Sequence, residues 1–180
     1  IYHGPPMRRE ADQIHIRFHD AATYAGRCHL IFGVMRRDAL LRIPPYGDYG
    51  HADGVLLARL ILLGPFVQLN EPLQLMREHE GQASTTYGVK GNLDYLAWRA
   101  WFDPKYSDKL GFPYWRIVGE YARSLVVVPG VPLLERIRCI GGVWAAAWTT
   151  KGRLRHDLTR ARRHLLAKAP WKRDVSRAAG

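Results

Sequence analysis

The run from Ala52 to Leu63 constrains this chain more than any other segment. Leu56, Leu60 and Leu63 recur about one helical turn apart, with Val55 and Ile61 beside them. That is the period of a helix with one apolar face. Asp53 falls in the first turn, and Gly64-Pro65 stops the pattern, because proline cannot continue a helix and glycine readily ends one. Such a face must be covered, so the chain needs a core around it. With 180 residues, 47% of them hydrophobic, it has the material for one packed domain, or one domain and a tail, and general disorder is not expected.

The rest of the chain is read around that helix. Residues 8 to 24 carry Ala11, Ile14, Phe18 and Ala21 or Ala22 at helical spacing, with Gly26 as a stop. Cys28 to Met35 is a short apolar run that suits a buried strand, and Gly33 within it suggests close approach by a ligand or another backbone. Arg36 to Leu40 lead as a polar turn into a short helix. Pro44 to Gly50, with two prolines and two glycines, is a loop. Phe66 to Leu69 and Leu73 to Met76 read as short strands around Asn70-Glu71-Pro72. From Thr86 onward the pattern is mostly helical: Leu93 to Phe102, Pro113 to Val128, Val131 to Thr149 and Arg153 to Ala169.

The net charge of +11 is unevenly placed. From Lys151 to Gly180 there are ten Lys or Arg against Asp157 and Asp174, so this tail holds +8 of it. The charge is therefore a property of the tail, and a nucleic-acid-binding role is the expectation of a rival class only. Leu154, Leu158, Ala161 and Leu165 form an apolar stripe there, with Arg155, Arg160, Arg162, Arg163 and Lys168 around it. Such a basic amphipathic helix suits an anionic membrane surface; docking on the domain with a solvated basic face is the plainer alternative. No run of about 18 apolar residues occurs. Two cysteines, Cys28 and Cys139, are too few for a disulfide framework, and a reducing cytoplasm is expected, with peripheral contact at the inner face of the membrane.

The stretch from Ile31 to Ser84 holds the candidate chemistry. Its order is a strand containing Gly33, then Arg36-Arg37, a flexible loop, Asp53 opening a hydrophobic helix, Gly64 and Phe66 closing it, and then Pro72, Arg77 and His79. This order resembles the second half of family 2 glycosyltransferases, the large inverting group with the GT-A fold. The likeness covers residues 14 to 84; Trp101 to Pro104 and the helices that follow match a bacterial subgroup more loosely. The family shows Glu-Asp where this chain has Ala52-Asp53, so the base position is kept and its acidic neighbour is not.

The resemblance implies an α/β fold: residues 1–85 as the acceptor-side half of a GT-A, Rossmann-like domain, and residues 86–180 as a helical extension with the basic tail. It implies transfer of a sugar from a nucleotide-sugar donor to a carbohydrate or lipid-linked hydroxyl acceptor, with inversion. Asp53 is then the base that takes the acceptor's proton. The helix dipole favours a negative charge at that place, and the Gly-Pro loop before it can fold over substrate. A plain helix cap is the other reading of Asp53, and the two roles can coexist. Gly33, Arg36, Arg37, Asp48 and Arg77 are the expected substrate contacts, Arg77 toward the diphosphate. His79 is the expected ligand of a divalent cation, magnesium or manganese; a hydrogen-bonded surface histidine is the alternative.

Two absences complete the expectation. No two Asp residues are separated by one position, and no Gly-rich phosphate loop occurs, so the donor-binding half, with most of the metal site, is missing. The first residues, Ile1 to Pro6, read as the interior of a longer chain, and the isolated chain is expected to be inactive. His15 and His19 have zinc-binding spacing, but Ile16 stands where a metalloprotease has Glu. Trp98, Trp101, Trp115, Trp144 and Trp148 lie in helical stretches and are assigned to packing.

Overall fold

A computed structural model of the chain describes residues 8–23, 28–69, 71, 73, 75, 79–81, 88–89, 92–93, 97, 100 and 111–168. The elements, in order, are α1 (Ile14–Thr23), a 3₁₀ turn (His29–Phe32), α2 (Arg37–Leu41), α3 (Ala52–Leu63), β1 (Gly88–Val89), β2 (Asn92–Leu93), α4 (Pro113–Val127), α5 (Leu133–Thr149) and α6 (Lys151–Lys168). The two strands pair antiparallel over two residues each. They form the only sheet among the described residues.

The α/β expectation is therefore corrected: the described chain is a helical assembly, with no Rossmann-like sheet. The reason lies in segments such as Cys28 to Met35. Phe32 and Val34 are largely exposed, so the run is not a buried strand. Its backbone closes on itself instead, Ile31 N–H donating to Cys28 and Gly33 N–H to Leu30. A short apolar run becomes a strand only where a neighbouring strand accepts its ladder, and among the described residues none pairs with this one. Gly33 closes this turn, its N–H donating to the Leu30 carbonyl. Leu69, Leu73 and Leu75, in the other expected strand segments, are exposed as well.

α3 is central. Ala52 and every residue from Gly54 to Leu62 are buried, so it is enclosed on all sides rather than along one stripe, with Arg59 the one charged residue among them. Full burial of a side chain such as Val55 or Ile61 is worth ~1.5–3 kcal/mol over leaving it exposed. α1 packs most extensively on α5 and next on α3; α4 contacts α3, α5 and α6. Helices from both sides of residue 85 thus share one core, with Phe18, Tyr121, Leu125, Val128 and Cys139 meeting Val55 and Ile61.

Polar groups fix the helix ends. The buried Arg17 donates to the carbonyl of Ile61 in the last turn of α3. Arg136 donates to the carbonyls of Leu125, Val126 and Val128 at the end of α4. Both place a cation where a helix leaves its carbonyls unpaired. Asp157 of α6 accepts the N–H of Tyr114 at the start of α4, at 2.9 Å. Trp115 Nε1 donates to Leu154 at 3.2 Å, so α6 is docked through Leu154, Asp157 and Ala161. Among the described residues, no helix is long and apolar enough to cross a membrane.

Candidate functional site

The head of α3 gathers the chemistry. His51 precedes the helix in the left-handed conformation, φ 67° and ψ 21°. A residue with a Cβ held there costs about 1–3 kcal/mol and persists only where its surroundings fix it. Here the fixing contacts are visible. His51 Nε2 lies 3.0 Å from Tyr121 Oη, and the two rings meet edge to face. Tyr121 is itself buried and held edge-on against Phe18. On its other side, His51 Nδ1 lies 4.0 Å from Cys28 Sγ.

Gly54 makes this possible. A Cβ at position 54 would stand 2.3 Å from His51 Nε2, so the imidazole folds back over the first turn of α3 only because that residue has no side chain. Asp53 completes the group. Its Oδ1 accepts the N–H of Gly54 at 2.8 Å. One donor atom each from Cys28, His51 and Asp53 all lie within 4.8 Å of one another. Among the described residues, no other such cluster occurs.

A small pocket of about 20 Å³ opens beside it, lined by Ala21, Cys28, Leu30, His51, Gly54, Leu57, Ile61 and Phe66. That is room for about one water. Burial pushes the Cys28 thiol up to about 12, and the neighbouring Asp53 adds to the rise by its charge and by a hydrogen bond. Burial lowers His51; Asp53 opposes the fall and Arg153 adds to it. Burial also raises the Tyr46 hydroxyl, helped by Asp53 and Cys28. At neutral pH, without an ion, the thiol keeps its proton and the imidazole is neutral. A thiolate–imidazolium nucleophile pair, which needs the opposite shifts, is not what this arrangement makes.

Asp53 is the one sequence-predicted site residue that falls inside this group. It is not the cap residue of α3, which is His51; it stands within the first turn, half-buried. Gly33, Arg36 and Arg37 are exposed at the exit of the 3₁₀ turn and the head of α2. Asp48 is exposed in the loop and ion-paired to Arg116 at 3.0 Å. His79 is exposed and not part of the cluster. Arg77 and Pro72 lie outside the described residues, as do Trp98 and Trp101. His15 and His19 are turned to separate carboxylates, Glu135 and Asp20.

Cys28 and His51 were not singled out by the sequence. The available signal is the glycine three residues after His51, inside an otherwise strong helix, where it weakens the helix unless something needs the space. Compared with family models, curated proteins and solved structures, the chain matches none.

Proposed function

We propose that the chain serves inverting sugar transfer from the acceptor side, with Asp53 taking the proton from the acceptor hydroxyl. The carrying observation is Asp53 itself, a half-buried carboxylate in the first turn of α3 after the Pro/Gly loop, although the strand expected at Gly33 is a 3₁₀ turn. A half-buried carboxylate beside a small apolar pocket is a suitable acceptor of a hydroxyl proton. The helical fold withdraws the sheet on which such a donor site is built, and these 180 residues contain no Asp-x-Asp. The nucleotide-sugar and its magnesium or manganese are accordingly assigned to protein outside these residues.

The test uses the chain as it is. Binding to arrayed glycosides and to polyprenyl-phosphate sugars is measured for the wild type and D53N, alongside nucleoside-diphosphate release from UDP- and GDP-sugars with Mn²⁺. Retention of a carbohydrate acceptor, weakened about tenfold or more in D53N by loss of a charged hydrogen bond, supports the reading. Release of diphosphate by the isolated chain contradicts the assignment of the donor site. The absence of any carbohydrate binding removes the proposal.

A second reading has its own observation. Leu133, Ile137, Ile140, Trp144 and Trp148 of α5 lie at one- or two-turn spacing and are all exposed. Lys151 stands over the Trp148 ring at 4.0 Å, and α6 adds exposed Arg155, Arg162 and Arg163. Tryptophans and aliphatics flanked by cations suit the surface of an anionic bilayer. Co-sedimentation with phosphatidylserine vesicles, lost in W144S/W148S and at high salt, supports it. Equal sedimentation with neutral vesicles argues against it.

A further inference from the structure

We propose that Cys28, His51 and Asp53 bind a zinc-class transition-metal ion, with Tyr121 and Gly54 positioning the histidine. Each ligand type fits. A thiolate and an imidazole select zinc, or its cobalt stand-in, over magnesium or calcium, which prefer an all-oxygen shell. Zn²⁺ with one thiolate and one carboxylate is a neutral unit, which suits a half-buried place. The Cys28 proton leaves to solvent as the ion binds, and the imidazole binds neutral through Nδ1.

The geometry is close to that of a bound ion. Zinc bonds of 2.3 Å to sulfur and about 2.0–2.1 Å to nitrogen place tetrahedral S and N ligands about 3.5 Å apart. Cys28 Sγ and His51 Nδ1 are 4.0 Å apart, so closing on the ion needs a shift of about half an ångström. The surrounding hydrogen bonds are those that metal ligands use. Nε2 faces Tyr121 Oη at 3.0 Å, while Nδ1 faces Cys28 Sγ, so Nδ1 is the nitrogen on the side of the cluster. Asp53 Oδ1 takes the Gly54 N–H, leaving its second oxygen for the ion. The three protein ligands leave a fourth position, and the adjoining pocket has room for about one water.

This site is distinct from the one expected at His79 and takes a softer metal. Its test needs no sugar, so it holds or fails independently of the sugar-transfer reading. Chelator-stripped protein is titrated with Co²⁺ and then Zn²⁺. One Co²⁺ per chain with a sulfur-to-cobalt charge-transfer band, displaced by stoichiometric Zn²⁺, is expected. C28S should lose that band, and C139S should keep it, because Cys139 is fully buried in the core away from the cluster.

H51Q and D53N should weaken binding while the band stays. G54A and Y121F keep all three ligands and should lose about 10- to 100-fold in affinity, as removal of an orienting group does. Y121F removes one hydroxyl and adds no bulk, so it guards against a trivial loss of fold. Far-ultraviolet circular dichroism confirms the helices of each variant. Failure to bind one ion, binding without a sulfur band, or a band that survives C28S overturns the proposal. So does wild-type affinity in both G54A and Y121F.

Discussion

Gly142 of α5 and its neighbour Gly141 should respond oppositely to the same substitution. A Cβ at Gly142 would lie 3.1 Å from His19 Cα and 3.1 Å from Phe18 Cδ1. A Cβ at Gly141 meets nothing within 4 Å. Replacing a helical glycine by alanine gains about 1 kcal/mol of helix preference at either position. At Gly142 that gain is opposed by contacts well inside the optimum carbon–carbon separation of ~3.5–4.0 Å. One neighbour is the α1 backbone, and the other is a fully buried ring packed edge-on against Tyr121. Neither is the loose end of a flexible side chain, so relief requires α1 to move off α5.

Moving α1 would stretch the bonds from His15 to Glu135, which span the same pair of helices. Overpacking of this kind costs about 1–3 kcal/mol, so G142A should lose about 1 kcal/mol net while G141A gains up to about 1. The two variants then differ by roughly 2 kcal/mol, or about 4–8 °C in melting temperature for a chain of this length. Urea unfolding followed by circular dichroism, with unchanged m, reads the difference directly. If G142A is stabilised as much as G141A, α1 does not cross α5 at this register, and the helical packing described above is refuted.

Two further outcomes test the polar framework. Burial raises Glu135, but hydrogen bonds from the His15 side chain and backbone and from Arg138 outweigh it and bring the carboxyl from 4.5 to about 2. A depressed carboxylate stabilises the fold above its ordinary value, and that contribution is lost as pH falls from about 4.5 through about 2. E135Q should lose about 1–2 kcal/mol at neutral pH, after discount for solvent screening, and the gap to wild type should close across that window. Asp20, held at about 2 chiefly by its hydrogen bond from Arg8, titrates there in both proteins and cancels in the difference. A gap that stays constant to pH 2 would show that Glu135 does not tie α1 to α5. In the second, Arg59 is almost wholly buried and pairs with Glu120 at 2.6 Å, with Ser124 Oγ accepting at 3.2 Å. E120Q strands that charge and should cost about 3–5 kcal/mol, whereas R59M/E120L should recover most of it; equal melts for E120Q and wild type would refute the pair.

What the sequence discloses depends on how local the deciding force is. α3 was legible from end to end, because Asp53 and Gly64-Pro65 act within a turn of where they stand. α4 begins at Pro113 and α5 just after Pro132 for the same reason, since proline suits a helix start. Cys28 to Met35 was misread because the same apolar run serves a strand or a turn, and the choice lies with neighbours distant in the chain. The contrast holds at the site. Asp53 could be picked out by its place on a helix. Cys28 and His51 are 23 residues apart and meet only through a 3₁₀ turn and one left-handed residue, which no spacing rule announces.

These features bear on what Asp53 can do. A carboxylate that ligates a metal has its lone pairs committed and is a poor acceptor for a hydroxyl proton. Zinc occupancy and proton abstraction are therefore alternatives at one side chain. On the proposed sugar-transfer reading, zinc bound here would compete with the acceptor for Asp53 and should weaken acceptor binding about as D53N does. G54A, by loosening His51, should relieve that competition without removing the Asp53 carboxylate. The same variant that weakens the metal should then keep acceptor binding to higher zinc, read by acceptor titration at increasing Zn²⁺, a combination that neither role of Asp53 produces alone.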